Sequence, residues 1–209
     1  MAAMRPLTPL EEAQILAALK QPRDRLLFSF GRYTGFRVGE LVSACVGQVW
    51  RAGRGVLDEI TICRRCLKGG KSAFRRGVTS RSVPLHPQLK AAIGAYLQVR
   101  FGSEPDPDAM LFPSRKGGGA ITPGQAWWVL RAAAAGLANP ARVGPHSLRK
   151  TFAADIFQKS EHNLVLTQRA LGHASINTTI SYLAPSQDAI SQAILGLGEG
   201  PAPQLSAIA

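Results

Sequence analysis

Apolar positions along the chain recur mostly at helical intervals. Leu10, Ile15, Leu16 and Leu19 follow Thr8-Pro9-Leu10-Glu11, which has the form of a capping box with proline at the first helical position, so a helix is expected from there to about Lys20. A second is expected from about Asp24 to Thr34, stopped by Gly35, and a third, carrying Arg37, Glu40 and Leu41, follows at once. Between about residues 48 and 84 the pattern changes. Val56 to Cys63 and Ser82 to Leu85 read as strands, separated by a glycine-rich and basic run from Lys68 to Arg81, which predicts a small sheet with a long cationic hairpin. Helical spacing then resumes. His86-Pro87 opens a helix to about Arg100, and Thr122-Pro123 suits the N-cap and first position of a helix containing Trp127, Trp128 and Leu130. From Pro145 onward helices are expected over 146–159, around 164–171 and around Tyr182. With no internal repeat and no dividing linker, the fold class is α+β, one mostly helical domain with a small antiparallel sheet.

Two local patterns place polar groups together. In His146-Ser147-Leu148-Arg149 the histidine and arginine lie three apart and share a helix face, while Leu148, Phe152 and Ile156 at spacing four form a separate buried stripe. His173 and Tyr182 are nine residues apart, which on one unbroken helix leaves them on opposite faces. Gly172 is a natural left-handed terminator, however, and Ser175 is a good N-cap for a new helix through Ile176, Thr179 and Tyr182. A helix, turn, helix reading puts His173 in the corner and swings Tyr182 back toward it. Arg37 follows the break at Thr34-Gly35, with Glu40 close enough to brace its guanidinium; taken alone, that pair reads as a surface ion pair.

Composition narrows the partners. Lys and Arg outnumber Asp and Glu by 25 to 13, a formal charge of +12 spread over the whole length, which points to a polyanion. Nucleic acid comes ahead of a membrane surface, because no basic amphipathic helix or apolar span is seen. Cys63 and Cys66 are the one close cysteine pair and lack the companions of a zinc site, so all three cysteines are expected to be packing thiols of a reducing compartment. Met1-Ala2-Ala3-Met4-Arg5-Pro6 has no apolar signal core, so a cytoplasmic address is expected. No metal or other cofactor is expected: the acids form no evident inward cluster, and His86, His146, His162 and His173 have no ligand spacing. His86 reads as a helix-start residue and His162 as a solvated turn. Of the adjacent Trp127 and Trp128, one is expected to face the core; core packing is preferred over base stacking.

Taken together, Thr34-Gly35-Phe36-Arg37-Val38-Gly39-Glu40-Leu41, His146-Ser147-Leu148-Arg149, and Leu171-Gly172-His173 with Tyr182 nine residues on resemble, in order and in local pattern, the signature boxes of the tyrosine recombinases, or phage integrases. Leu67-Lys68-Gly69-Gly70-Lys71, followed by Arg81-Ser82-Val83-Pro84-Leu85, resembles that family's hairpin-lysine element. The resemblance covers roughly residues 8 to 185, with residues 1–7 as a short extension, 186–198 as a C-terminal helix and 199–209 as a tail.

The resemblance implies a site-specific recombinase that cuts and rejoins double-stranded DNA through a covalent 3′-phosphotyrosyl intermediate, without a metal. Tyr182 would be the nucleophile, Arg37 and Arg149 the clamp on the non-bridging phosphate oxygens, and His146 and His173 the two assisting groups, their division of labour open. Lys68 would protonate the departing 5′ oxygen, with Lys71 as its rival. Arg75, Arg76 and Arg81 make the hairpin more cationic and are expected to touch backbone phosphate. Glu40 would support Arg37, and Lys150 stands where the family often has a second histidine. Only seven residues precede the first helix, whereas many members carry an N-terminal domain that closes around DNA; weak DNA binding, an accessory DNA-binding protein, or self-association on DNA is therefore expected. Ile190, Ile194 and Leu195 suit either exchange onto a neighbouring subunit or folding back. A bacterial source would place the protein on the nucleoid. The rival readings are a type IB topoisomerase-like relaxing enzyme and a non-cleaving DNA-binding regulator on the same fold.

Overall fold

In a computed structural model, residues 4–62, 81–115, 117, 119–183, 190–191 and 194–196 are described. Helix α1 (Pro9–Ala18) starts on the expected capping box, with Thr8 and Glu11 each satisfying the other's backbone N–H. Helix α2 (Pro22–Thr34) begins two residues before the sequence suggests, because Pro22 supplies a preset φ at its first position. It ends where Gly35 turns into the left-handed region at φ 59°. A short α3 (Val38–Val42) follows, and Arg37 stands at its N-cap with extended backbone rather than inside it.

The strand region differs from its expected form. The single strand foreseen from Val56 to Cys63 is broken at Leu57 and Asp58 into two. A small antiparallel ribbon pairs β1 (Trp50–Arg51) with β2 (Gly55–Val56), and a second pairs β3 (Glu59–Ile62) with β4 (Arg81–Pro84), with Ile60 opposite Val83 and Ile62 opposite Arg81. Leu57 returns its N–H to the carbonyl of Val49, which lets the chain change ribbons without leaving that donor unpaired. The segment joining β3 to β4 lies outside the described residues.

Helices α4 (Pro87–Phe101) and α5 (Pro123–Ala133) follow, each with proline in its first turn. The main core joins α2, α3, both ribbons and α4 through Leu27, Phe30, Phe36, Ile60, Leu89, Ile93 and Phe112. Beside it, Phe28, Leu130 and Leu148 close a second cluster with Ile15 of α1. The C-terminal part is α6 (Pro145–Lys159), α7 (Leu164–Leu171) and α8 (Ile176–Leu183), with Gly172 at φ 63° ending α7. Its own cluster is small: Phe152, Ala153 and Leu171, flanked by Ile156, Tyr182 and Leu183. Thus Leu148 and Phe152 are both buried, but they serve different clusters. No helix among the described residues is long and apolar enough to cross a membrane.

Candidate active site

The α2–α3 turn places the first arginine. Gly35 is required there twice: its φ is positive, and a Cβ would collide with the Phe152 ring on α6. Immediately after it Arg37 donates from Nη1 to Glu40 Oε1 at 2.9 Å, and from its backbone N to Glu40 Oε2 at 2.9 Å. The Glu40 side chain is only 2% exposed, whereas that of Arg37 is 30% exposed. One end of this ion pair is therefore fixed in the interior and the other is open to a ligand.

Arg149 occupies the floor. Although charged, it is 1% exposed. Its Nη1 donates to the carbonyl of Gly35 and its Nη2 to that of Leu171 at 2.8 Å, which ties α6 to the turns that carry Arg37 and His173. Its Nε is buried and, among the described residues, has no hydrogen-bond partner. An unmatched buried N–H costs about 1–3 kcal/mol, so an acceptor oxygen brought to this donor would be favoured.

Two histidines and the tyrosine complete the group. On α8, Tyr182 sets its hydroxyl 3.4 Å from Nδ1 of His146 and its ring 5.1 Å, edge to face, from the ring of His173. The guanidinium carbon of Arg149 and the ammonium of Lys150 each lie 5.8 Å from the centre of the Tyr182 ring. Nδ1 of His173 is 2.9 Å from Oγ1 of Thr179, a fully buried hydroxyl one turn before Tyr182. His173 is thereby fixed from the same helix that carries the phenol.

Positive charge dominates the pocket. Burial, then Arg149, Arg37 and Arg81, push His173 down to about 4, so it is neutral at physiological pH. His146 is lowered too, first by desolvation and then by Arg149, Arg37 and Lys150. Burial and the neighbouring Arg37 lower Arg149 to about 10, which still leaves it charged. Three guanidiniums, from Arg37, Arg81 and Arg149, thus act on one another around the carboxylate of Glu40. An arrangement of this kind favours an anion with several acceptor oxygens.

Of the residues singled out from sequence, Arg37, Glu40, His146, Arg149, Lys150, His173 and Tyr182 come together at this pocket. Lys68, Lys71, Arg75 and Arg76 lie outside the described residues. Arg81, expected on the cationic arm, instead turns inward to the carbonyls of Thr34 and Leu171. The sequence marks Thr179 only as a residue of the last helix, although its spacing of three from Tyr182 puts both on one face. His86 caps α4 and stacks on Tyr33, and Trp128 is the exposed member of the tryptophan pair. Among the described residues no group of three His, Cys, Asp or Glu could hold a metal ion.

Residues 5–188 match the model of the phage integrase family. Tyrosine recombinase XerD of Bifidobacterium longum is 31% identical over 181 residues, covering 83% of this chain and 53% of that protein. Tyrosine recombinase XerA of Pyrococcus furiosus is 28% identical over 172 residues, 82% of this chain and 54% of the other. The chain therefore spans about half the length of these relatives. In fold it is similar to the crystal structure of XerA recombinase, with a TM-score of 0.69 at 24% identity over 97% of this chain and 68% of that one. It also resembles XerH site-specific recombinase bound to its difH substrate, with a TM-score of 0.61 at 23% identity over 93% of this chain and 55% of the other. Because the family model spans residues 5–188, which include every residue named at the pocket, the chain belongs to the phage integrase family, the tyrosine recombinases, and carries the fold of their catalytic domain.

Proposed function

We propose that this chain cuts and rejoins double-stranded DNA as the catalytic part of a site-specific recombinase, through a covalent 3′-phosphotyrosyl intermediate. The observation that carries the reading is the convergence of Arg37, Arg149, His146, His173 and Tyr182 from four separate segments on one cationic pocket. The net charge of +12 supports a polyanionic substrate, as do the DNA complexes of XerH and of the Tn1549 transposon integrase, which share the fold.

In this mechanism the Tyr182 oxygen attacks the scissile phosphorus, a P–O bond to the tyrosine forms, and the bond to the 5′ oxygen breaks. His146, neutral and nearest the phenol, takes the phenolic proton; its 3.4 Å separation is long, as proton-transfer contacts often are before substrate closes the site. Arg37 and the unmatched Nε–H of Arg149 bind the non-bridging oxygens as charge builds on them, with a planar geometry that lysine cannot copy. His173 has Nδ1 engaged by Thr179, so Nε2 is its remaining polar contact for the phosphate. Lys68, with Lys71 as rival, protonates the departing 5′ oxygen, and Arg75 and Arg76 hold backbone phosphate, which would make binding steeply salt-dependent. Because the ester keeps the energy of the broken bond, attack by a 5′ hydroxyl from another strand reverses the step and joins new partners. Such exchange needs several subunits on paired sites; exposed Ile190, Ile194 and Leu195 offer apolar surface for subunit contact.

A pool of duplexes of randomised sequence, each with a nick near the candidate cut, tests this. Cleavage next to the nick releases a short fragment and traps the protein on DNA. Wild type is expected to give an adduct that survives denaturing electrophoresis, and Tyr182→Phe none, at DNA concentrations that saturate both. Binding without any wild-type adduct overturns the reading in favour of a non-cleaving regulator.

A further inference from the structure

Arg81 has no part in the chemistry above, yet it is built into the pocket from beneath. It is the first residue of β4. Its Nη2 donates to the carbonyl of Thr34 at 2.9 Å and its Nη1 to that of Leu171 at 2.7 Å. These carbonyls lie in the turns that lead to Arg37 and to His173. The guanidinium sits 5.0 Å from the centre of the Phe36 ring. The side chain lies so close to Gly172 that a Cβ there would be 2.9 Å from Arg81 Cδ and 3.2 Å from its Nη1. Gly172 thus ends α7 and also leaves the passage through which Arg81 reaches both turns.

Arg149 makes the matching brace from α6. Thr34 and Gly35 offer successive carbonyls, one to each guanidinium, and the carbonyl of Leu171 accepts from both. Holding two guanidiniums this close is unfavourable, and each carries a buried Nε without a hydrogen-bond partner among the described residues. A neutral amide or a hydroxyl could serve one carbonyl, but only a planar fork reaches across two turns in a fixed geometry.

We infer that Arg81 is a positioning residue which, by forking between the carbonyls of Thr34 and Leu171, sets the spacing of Arg37 from His173 across the phosphate pocket. The role rests on the recombinase reading. It also separates Arg81 from the arm residues that precede it: Arg81 acts on catalytic geometry and not on DNA affinity.

Arg81→Lys and Arg81→Met test this. Lysine keeps the charge without the fork, and methionine keeps much of the packing without either. Thermal melts report folding, and equilibrium titration reports DNA affinity. Single-turnover cleavage is then measured at saturating DNA on two substrates, a normal phosphodiester and one whose scissile 5′ oxygen is replaced by sulfur, a leaving group that needs no proton. Both variants are expected to fold and to bind DNA with wild-type affinity. Cleavage should fall about 10- to 100-fold, the scale of a misplacement near 1 Å, and by the same factor on both substrates. Cleavage at the wild-type rate overturns the role, and so does a fall in affinity that accounts for the whole loss. Recovery on the sulfur substrate overturns it too, since Arg81 would then serve the leaving group. Failure of both variants to fold makes Arg81 a stability element and rejects the role. Absence of the wild-type adduct removes the recombinase reading and this role with it, whereas equal adducts from all three proteins reject the role alone.

Discussion

The arginine side of the pocket and the tyrosine side are anchored very differently. Arg37 stands on a turn backed by the largest cluster, with Phe30, Phe36, Leu41 and Ile60 among its fully or nearly fully buried members, and Arg149 is locked through two carbonyls. Tyr182 stands on α8, whose support is Phe152, Ala153 and Leu171, while Ile176 and Ile180 of the same helix are 37% and 48% exposed. Each fully buried large apolar side chain contributes about 1.5–3 kcal/mol, so the few under α8 hold it far less firmly than the main core holds α2. The difference suits the proposed chemistry. Charge stabilisation works through groups that do not have to reorganise, whereas a nucleophile must reach the phosphorus and later leave it.

The largest effects should come from the two sides in different currencies. Tyr182→Phe is expected to abolish the covalent adduct while leaving the melting temperature and DNA affinity unchanged, because it deletes one hydroxyl from a partly exposed ring. Arg149→Ala should lower single-turnover cleavage by about 10²–10³-fold. It should also lower stability, since the carbonyl of Gly35 loses its donor at about 1–3 kcal/mol, while that of Leu171 keeps Arg81. Equal melting temperatures for the two variants would erase the contrast.

Amide exchange offers a smaller but more direct measure. Amides of α8 are expected to exchange about 10²-fold faster than those in the middle of α2, because local opening of α8 uncovers few apolar contacts. Protection of α8 equal to that of α2 would show that the nucleophile's helix is held by the global fold.

How far these two regions can be read from sequence differs as well. Gly35 and Gly172 mark helix ends by backbone preference, and Thr8-Pro9 and Thr122-Pro123 mark starts by capping, so the breaks on which the site depends are local and visible. The pairing of Arg37 with Glu40 is visible for the same reason. Arg81 is not, because its partners, Thr34 and Leu171, are 47 and 90 residues away and only the folded chain brings them near. A cationic run suggests a solvated arm, and nothing local signals that its last arginine turns inward. The β1–β2 ribbon escaped because its strands are two residues each, too short for alternation to register. Thr179 lies between these extremes: its position on a face with Tyr182 is legible, and its bond to His173 is not.

Titration of His173 tests the electrostatic side at moderate scale. Its ordinary value of 6.5 falls to about 4 in the fold, so between those values the folded protein binds fewer protons than the unfolded chain. The stability tied to this group is therefore fully present above about pH 6.5 and is lost as pH falls toward 4. Melting temperature should drop more steeply over that window in wild type than in His173→Gln. Ring-proton NMR should show the imidazole neutral at pH 5, and a bound phosphate should raise its titration point by opposing the three arginines. An imidazole already charged at pH 6 without DNA would mean that neither burial nor the crowding of Arg149, Arg37 and Arg81 acts on it as the fold implies.

The smallest expected effect concerns the link between the two sides. Thr179→Val keeps the shape of a fully buried side chain and removes the hydroxyl 2.9 Å from His173 Nδ1. If that hydroxyl donates, Nδ1 is the acceptor and Nε2 carries the hydrogen, ready to donate a hydrogen bond to a phosphate oxygen; without it the ring is free to adopt the other tautomer or to turn. Loss of one such hydrogen bond is worth about 0.5–1.5 kcal/mol, so cleavage should fall by roughly 3- to 10-fold. Thr179→Ser should restore it, because serine returns the oxygen at the cost of one methyl group. A valine variant that cleaves at the wild-type rate would show that Tyr182's edge-to-face ring alone orients His173, and that α8 brings the tyrosine without also tuning its neighbour.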